Sequence, residues 1–334
     1  MQNNEIATPH SPRFGLVLSN RSLVTGTTTV EELLALAQRA EEAGWDSVWV
    51  GDSILAKPRL DALVLLGALA VSTRRVKLGP ASFTSTPLRD PLQLAYQWYS
   101  LDVLSQGRMI FNASQGAPGT QGGTFAEEFA AFHIDPASRM RRMEEAIEIL
   151  RLASSQERIS YTGEYTQFRD VTILPHPIQH SLPIWISTAT DPRKPKMTTR
   201  ALQRVASYAD GWMTISRTPA LFADNLADIR RYAHEMGRNL GNDFEACLYL
   251  DININDDDEV AFQQSKEFLD RYYEHDFTRT EVALRTVFGS PHTCIERLQQ
   301  FMQAGATAFI LRIIGPDEPR QFERITKEVM ATLQ

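Results

Sequence analysis

The most constraining feature of the sequence is a regular alternation between short apolar runs and longer segments with helical periodicity. The apolar runs are FGLVLS, SVWVGD, VKLG, RMIFNAS, PIWIST, GWMTIS, ACLYLDININ and AFILRI. Such alternation predicts parallel strands joined by right-handed helical crossovers. No G-x-G-x-x-G pattern follows the first run, and eight runs favour a closed barrel over an open doubly wound sheet. The predicted fold class is therefore α/β, an eight-stranded parallel TIM-type barrel.

Residues that start and stop helices support these strand boundaries. Thr29 and Glu32 form a capping-box pattern before the first helical segment, and Gly44 follows its end. Asp90 and Ser290 each precede a proline, which is the usual start of a helix. The segments between the apolar runs are therefore predicted to be helices.

The chain is predicted to form a single barrel domain over residues 14–334, preceded by an N-terminal arm over residues 1–13. No low-complexity linker divides the 334 residues. The stretches 113–136 and 156–182 are longer than ordinary connections. They are predicted to be functional loops, or small extra elements, inserted at the C-terminal face of the strands.

Composition and charge exclude several classes of protein. A net charge of -7 and a pI near 5.6 argue against nucleic acid as a partner. The sequence has no secretory signal pattern and no apolar run long enough to span a bilayer, which predicts a cytoplasmic protein that does not enter membranes. Cys247 and Cys294 have no metal-binding or redox spacing, so we expect buried thiols and no metal.

The residues just past the predicted strands form a polar rim. In barrels of this kind the active site lies at the carboxyl ends of the strands. The rim consists of Ser19, Asn20, Asp52, Ser53, Ser82, Thr84, Asn112, Ser114, Ser187, Thr188, Thr190, Ser216, Arg217, Asn253, Asn255 and Arg312. Hydroxyls and amides predominate, whereas histidines and paired carboxylates are scarce. This rim suits the orientation of a large polar cofactor better than metal binding or glycoside hydrolysis.

Six segments, in this order, carry a resemblance to a known family. They are GWDSVWVGD, VKLGPASFTSTPLRDP, LDVLSQGRMIFNASQG, LPIWIST, RVASYADGWM and AGATAFILR. Together they resemble the bacterial luciferase-like superfamily of flavin- and deazaflavin-dependent oxidoreductases, from about Phe14 to the C-terminus. The resemblance implies a barrel, usually a homodimer, that binds FMN or a deazaflavin at the strand ends.

The resemblance also implies a set of cofactor-binding residues. The hydroxyls of Ser187, Thr188 and Thr190 are expected to bind the phosphate, because they stand where the family carries phosphate-binding hydroxyls. Ser82 and Thr84 follow the third strand, where family members often carry a bulge beneath the ring.

The fourth strand end is expected to lie beside the ring. The small residues after RMIF, starting with Ser114, would let the chain turn away from a flat ring. Asn112 is expected to hydrogen-bond the polar edge of that ring, unless it only pins a turn. An asparagine here resembles the FMN monooxygenases more than the deazaflavin enzymes.

The catalytic candidates are Asp52, Ser53 and Arg312. Many relatives carry a histidine after the aspartate of the second strand, whereas this chain has Ser53, which cannot exchange protons near neutral pH as histidine does. Asp52, Ser53 or a group on the substrate must then serve, although Asp52 equally suits a structural role. Arg312 either binds an anionic substrate or the polar edge of the flavin, or pairs with the acidic residues that follow it.

Other side chains have weaker claims to the site. His133 and His176 are predicted to be surface and loop residues rather than catalytic ones. Phe125 and Phe129 lie one helical turn apart and are candidates for a lid.

The leading functional hypothesis is an FMN-dependent monooxygenase. Reduced FMN, supplied by a separate flavin reductase, would react with oxygen and oxidise a small organic substrate. One alternative is a deazaflavin-dependent dehydrogenase or reductase, which the segment PKM resembles. The other alternative is a flavin-binding protein without catalytic activity.

Overall fold

The computed structural model describes residues 11–117, 119, 123–215 and 217–334. The strands of this part are β1 (Arg13–Leu18), β2 (Ser47–Val50), β3 (Lys77–Pro80), β4 (Phe111–Ala113), β5 (Ile159–Thr162), β6 (Gln167–Val171), β7 (Ile184–Ser187), β8 (Gly211–Thr214), β9 (Glu245–Ile254), β10 (Thr286–Gly289) and β11 (Ala308–Ile313). The helices are α1 (Val30–Glu42), α2 (Ala62–Ser72), α3 (Pro91–Ser105), α4 (Phe125–Ala131), α5 (Arg139–Ser155), α6 (Pro195–Tyr208), α7 (Pro219–Glu235), α8 (Asp258–Tyr273), α9 (Arg279–Arg285), α10 (Pro291–Gln303), α11 (Glu318–Arg324) and α12 (Ala331–Leu333). A π-helical segment, Ile325–Met330, joins α11 to α12.

Eight of the strands form a parallel barrel in the order β3-β2-β1-β11-β9-β8-β7-β4. The seam between β3 and β4 is closed by single bridges: the Leu78 amide donates to the Arg108 carbonyl at 2.9 Å, and the Ile110 amide donates to the Leu78 carbonyl at 2.8 Å. The barrel is therefore nearly continuous, and all eight predicted strands belong to it. The TIM-type barrel predicted from the sequence is confirmed.

The interior of the barrel is filled by large side chains rather than left as a channel. The indole rings of Trp49 on β2 and Trp185 on β7 approach to 5.3 Å between centroids, although these strands are not neighbours. Val17, Ile110 and Met213 pack into the same cluster. Because the interior is packed, the space for ligands lies at the strand ends.

The predicted helix boundaries follow from capping. Thr29 and Glu32 form the capping box of α1, and the Asp90 carboxylate accepts the Gln93 amide at the start of α3. Gly44, directly after α1, has a φ of +85°, a backbone conformation that glycine adopts without strain.

The long inserted stretches carry small elements of their own. The first contains α4, and the second contains an antiparallel hairpin of β5 and β6. The sequence analysis missed β10, a short strand that pairs in parallel with the distal half of β9 outside the barrel. Residues 1–10 of the predicted N-terminal arm lie outside the described residues.

Candidate active site

Two adjoining cavities open at the carboxyl ends of the barrel strands. One, of about 380 Å³, is bounded by residues after β2, β3, β4, β7 and β8. The other, of about 410 Å³, lies at the ends of β1 and β11. Both are lined by Arg59, Ala81, Tyr249, Tyr272 and Arg312, so these residues form the boundary between two compartments of one mouth. We call them the hydroxyl compartment and the cationic compartment.

Most of the predicted cofactor-binding residues line the hydroxyl compartment. These are Ser82, Thr84, Ser114, Ser187 and Thr188. The Thr84 hydroxyl donates to the Asp52 carbonyl at 2.7 Å, which fixes the turn after β3. The peptide bond between Ala81 and Ser82, at the same turn, is cis. One side of this cavity is therefore a wall of hydroxyls on a well-braced backbone.

Asn112 and Thr190 do not line either cavity. The Asn112 side chain is fully buried: its Nδ2 donates to the Pro80 carbonyl at 3.0 Å, and its Oδ1 accepts from the Ser187 hydroxyl at 3.0 Å. Thr190 Oγ1 accepts from Asn225 Nδ2 at 2.7 Å. Asn112 thus braces Ser187 and the end of β3, so its identity gives no argument for FMN over a deazaflavin.

Asp52 and Ser53 occupy different surroundings although they are adjacent. The Asp52 carboxylate lines the hydroxyl compartment and accepts the Ser85 amide at 2.7 Å. Burial raises the pKa of Asp52, and the opposing charge of Arg89, 3.9 Å away, moderates that rise. The Ser53 hydroxyl donates to the Lys57 carbonyl at 2.9 Å and lines neither cavity. Ser53 therefore has a structural role in the loop after β2.

Arg312 lines both compartments and forms a buried ion pair. Its Nε and Nη2 donate to the two carboxylate oxygens of Asp251 at 2.7 and 2.9 Å. One role predicted for Arg312 was pairing with the acidic residues that follow it. Its partner is instead Asp251, on the neighbouring strand β9. The register of β9 and β11 sets Asp251 beside Arg312, which a single sequence cannot reveal.

A group of cations around the boundary was missed by the sequence analysis. Lys57, Arg59, Arg21 and Arg271 line the two compartments together with Arg312. They lie several residues past the ends of β1 and β2 or on α8, whereas the predicted polar rim holds only the first residues past each strand. The segment AKPRLD, between β2 and α2, was the available signal.

The cations act on one aromatic side chain, Tyr272, at the end of α8. Lys57 Nζ lies 3.9 Å and the Arg312 guanidinium carbon 4.4 Å from the centroid of its ring. Burial alone would raise the pKa of Tyr272, but the positive charges of Arg312, Arg59 and Lys57 outweigh it and lower the pKa to about 8. Burial and the neighbouring arginines lower the pKa of Lys57 to about 8 as well.

A buried carboxylate on α4 hydrogen-bonds the loop after β2 and so holds this helix at the mouth of the barrel. Glu128, which is 2% exposed, accepts the backbone amides of Ile54, Leu55 and Ala56 at 2.6, 2.7 and 3.2 Å. Phe125 of the same helix lines the hydroxyl compartment. Phe129, by contrast, is fully buried. Glu128 therefore couples the aromatic cover of the site to the loop that carries Lys57.

Replacement of Glu128 by glutamine should destabilise the protein by about 2 kcal/mol, because three buried amides lose a charged acceptor. Chemical denaturation followed by circular dichroism measures this loss. Glu127→Gln, on the exposed side of the same helix, is the matched control and should change stability by less than about 0.5 kcal/mol. Equal midpoints for the two variants would contradict this role of Glu128.

The remaining candidates do not enter the described site. His133 and His176 are exposed, as predicted from the sequence. Ser216 lies outside the described residues. Cys247 and Cys294 are buried thiols. No group of three or more metal-binding side chains occurs within the described ranges, and no helix in them is long and apolar enough to cross a bilayer.

The chain belongs to the luciferase-like monooxygenase family, whose model matches residues 13–308.

Curated relatives resemble the chain over almost its whole length. The glucose-6-phosphate dehydrogenase of Amycolatopsis mediterranei, named as F420-dependent, is 24% identical over 91% of this chain and 94% of its own. The 5,10-methylenetetrahydromethanopterin reductase of Archaeoglobus fulgidus is 23% identical over 91% and 96%.

Solved structures confirm the fold. The monooxygenase RslO1 from Streptomyces bottropensis superimposes with a TM-score of 0.79 and 20% identity, over 96% of this chain and 100% of its own. The coenzyme F420-dependent tetrahydromethanopterin reductase from Methanopyrus kandleri gives a TM-score of 0.78 and 18% identity, over 97% and 100%. The chain therefore has the fold of luciferase-like oxidoreductases, among which both oxygenases and F420-dependent enzymes occur.

Proposed function

We propose that this protein is a deazaflavin-dependent oxidoreductase that transfers hydride to or from a small alcohol or carbonyl compound bearing an anionic group. The observation that carries the proposal is the division of the mouth into a hydroxyl wall and a cationic wall. The choice of a deazaflavin rests on relatives named as F420-dependent, which match 91% of this chain. This proposal replaces the FMN monooxygenase as the leading reading.

The hydroxyl compartment has the features that a flat coenzyme with a phosphate requires. Ser187 and Thr188 present hydroxyls on one side, and Ser82 and Ser114 on others. The backbone comes close at Gly116, where a Cβ atom would lie 3.0 Å from the Phe129 ring and 3.1 Å from the Thr84 carbonyl. Glycine is favoured at this position because the turn packs directly against Phe129 and Thr84, and this turn forms part of the wall of the compartment. A deazaflavin bound there supplies hydride transfer in two-electron steps.

The cationic compartment is suited to the anionic end of a substrate. Five basic side chains, Lys57, Arg59, Arg21, Arg271 and Arg312, line the mouth, whereas Asp52 is the one acidic residue among the lining residues of the two cavities. This local excess contrasts with the net charge of -7 of the whole chain. A cleft lined by one sign of charge concentrates ligands of the opposite sign.

Arg21, which lines this compartment, carries an unpaired hydrogen-bond donor. Its Nη1 is buried and has no hydrogen-bond partner among the described residues. A phosphate or carboxylate group would satisfy this donor with a charge-assisted hydrogen bond. Arg312, by contrast, is largely occupied by Asp251 and contributes its field more than its hydrogen bonds.

The two walls face each other across the mouth. In the strand order of the barrel, β7 stands opposite β1. The coenzyme phosphate is therefore proposed to bind at Ser187 and Thr188, and the anionic group of the substrate on the opposite side, next to Arg21. The reacting carbon would then lie between them, covered by Phe125, which excludes water from the transfer.

The second candidate is the FMN-dependent monooxygenase with oxygen and a separate flavin reductase. The similarity in fold to the monooxygenase RslO1 favours it.

A homodimer also stays a prediction. The proposed contact surface consists of the apolar side chains exposed on α2 and α3, which are Val64, Val71, Tyr96 and Leu104.

Matched substrate pairs test the proposal. The protein is mixed, without oxygen, with an oxidised deazaflavin and one substrate at a time, and loss of the coenzyme absorbance is followed. The pairs are glucose 6-phosphate with glucose, and lactate with isopropanol. We expect reduction of the deazaflavin, with kcat/KM at least about tenfold higher for the anionic member of the active pair. Product formation from reduced FMN and oxygen, with no reduction of the deazaflavin by any of the four compounds, would contradict the proposal and favour the second candidate.

The Gly116→Val variant should lose coenzyme binding by at least about tenfold, because its side chain would press on Phe129 and the Thr84 carbonyl and displace the turn that lines the hydroxyl compartment. The residue also has a φ of +70°, which valine adopts poorly. Fluorescence titration with the deazaflavin measures the effect. Gly119→Ala is the control, since none of the residues that the structure describes lies within 4 Å of a Cβ at that position. An unchanged dissociation constant for Gly116→Val would place the ring elsewhere.

A further inference from the structure

The side chain of Tyr272 lies at the boundary between the two compartments. Tyr272 lines both cavities. It lies on α8, a helix that is not among the segments carrying the family resemblance. A group in this position can reach a ligand in either compartment. Tyr272 is therefore placed between a coenzyme on the hydroxyl side and a substrate on the cationic side.

Other groups around the mouth are poorly suited to exchanging a proton. The Asp52 carboxylate is held by the Ser85 amide, and the Ser53 hydroxyl is turned into its own loop. Among the described residues, no histidine lines either cavity. Burial raises the pKa of the other two tyrosines of the site, Tyr249 and Tyr273. Tyr272 is the tyrosine whose neighbours favour the ionised form.

The surroundings of Tyr272 favour a negative charge on its oxygen. Arg312 on β11, Lys57 and Arg59 on the loop after β2, and Arg21 on the loop after β1 all face it, and Arg59 interacts with the hydroxyl itself. A nearby cation stabilises the phenolate relative to the phenol.

Several further groups complete these surroundings. They are Asp251, which neutralises part of the charge of Arg312, the rings of Phe268 and Tyr273, and Tyr249. Arg285 lies over the ring of Tyr273. The arrangement is therefore net cationic even after the one carboxylate is counted.

We propose that the Tyr272 hydroxyl is the acid and base of this active site, taking the place of the histidine that many relatives carry after the second strand. In oxidation of an alcohol, the phenolate oxygen of Tyr272 takes the hydroxyl proton as the substrate C=O bond forms. A deazaflavin held at Ser187 and Thr188 would supply the two-electron oxidant, which would accept the electron pair of the adjacent C–H bond as hydride. In the reverse direction, the neutral phenol returns the proton to the carbonyl oxygen. The inference rests on the proposed hydride transfer.

Lys57 is expected to modulate this proton exchange rather than to perform it. Its Nζ donates to the Tyr272 carbonyl at 3.0 Å and lies over the face of the ring, so it fixes the ring while adding charge. With its pKa also about 8, Lys57 loses its charge in the same range in which Tyr272 ionises. Loss of this cation weakens anion binding and raises KM, whereas ionisation of Tyr272 acts on kcat.

The first test observes Tyr272 directly in the protein without coenzyme. Ultraviolet absorbance of tyrosinate is followed against pH for the wild type, Tyr272→Phe and Tyr273→Phe. We expect one tyrosine to ionise near pH 8 in the wild type and in Tyr273→Phe, and none below about pH 9.5 in Tyr272→Phe. Absence of this early ionisation from the wild type would overturn the proposal whatever the coenzyme.

The second test measures the pH profile of deazaflavin reduction with the fastest of glucose 6-phosphate, glucose, lactate and isopropanol. In the wild type, kcat should rise with pH to a plateau above about 8. In Tyr272→Phe this rise of kcat with pH, the basic limb of the profile, should disappear. At pH 8 its kcat should be at least about 100-fold lower than that of the wild type, with binding of the deazaflavin unchanged. Tyr273→Phe should keep the limb.

The outcomes separate this inference from the proposed function. Reduction of the deazaflavin with the same pH limb in Tyr272→Phe would overturn the role of Tyr272 and leave the proposed function standing. No reduction by any of the four compounds in the wild type would overturn both.

Discussion

Replacement of Arg312 by methionine is expected to lower the free energy of unfolding by about 3 to 5 kcal/mol. The reason is that the Asp251 carboxylate, in a site where Arg312 is 8% exposed, would be left buried without its counter-charge. The same change removes the cation that most favours ionisation of Tyr272, so the pKa of that phenol should rise from about 8. Thermal or chemical denaturation measures the first effect and tyrosinate absorbance the second.

A double substitution separates charge from packing at this pair. Arg312→Met combined with Asp251→Leu removes both charges, and its stability should recover most of the loss, because a buried pair can be replaced by apolar residues at little cost. The phenol should nevertheless stay at its raised pKa. A single Arg312→Met variant as stable as the wild type would show that Asp251 finds another partner, which would contradict the described ion pair.

The second large effect is expected at Arg108, which lies in LDVLSQGRMIFNASQG, one of the six segments that carry the family resemblance. Its guanidinium, 7% exposed, donates to the carbonyls of Ala70, Thr73, Val76 and Ser105 and to the Thr73 hydroxyl. One side chain thus provides hydrogen bonds to the free carbonyls at the end of α2 and connects this helix end to the turn after α3. Arg108→Lys should cost about 3 kcal/mol, because a lysine offers fewer donors without the planar fork and leaves buried carbonyls unpaired.

A control for this prediction lies at the same helix end. Arg74 donates to the Val71 and Thr73 carbonyls from the exposed side, at 2.8 and 3.2 Å. Arg74→Lys should therefore change stability by less than about 0.5 kcal/mol. Unfolding in denaturant compares the two variants. An Arg108→Lys midpoint close to that of Arg74→Lys would contradict the role of Arg108 as a donor to these buried carbonyls.

The barrel could be predicted from the sequence because its signals are local. Period, capping residues and glycine positions mark each element, and apolar residues at the strand positions supply the packed interior. The short strand β10 was missed because its apolar run, TVF, is brief and follows α9 without a turn signal. It is defined by pairing with β9, a contact that one sequence does not encode locally.

The candidate site could be predicted only as far as its backbone framework. Ser82, Thr84, Ser187 and Thr188 follow strands directly, so counting from strand ends found them. Tyr272 lies at the end of a helix, and its position over the mouth depends on the packing of α8.

Asn112 shows the limit of counting from strand ends. It follows the strand pattern, but its side chain is buried by contacts with Pro80 and Ser187 rather than pointing to the mouth. Strand-end position predicts proximity to the site, whereas the direction of a side chain depends on its neighbours.

The most direct test of the central claim is a side-by-side binding titration of the wild-type protein with oxidised deazaflavin and with oxidised and reduced FMN, followed by fluorescence and calorimetry. The deazaflavin should bind at least about tenfold more tightly than either form of FMN, and Gly116→Val should abolish that preference. Tighter binding of reduced FMN than of the deazaflavin, or deazaflavin binding that Gly116→Val leaves intact, would contradict the claim that the hydroxyl compartment at these strand ends is a deazaflavin site.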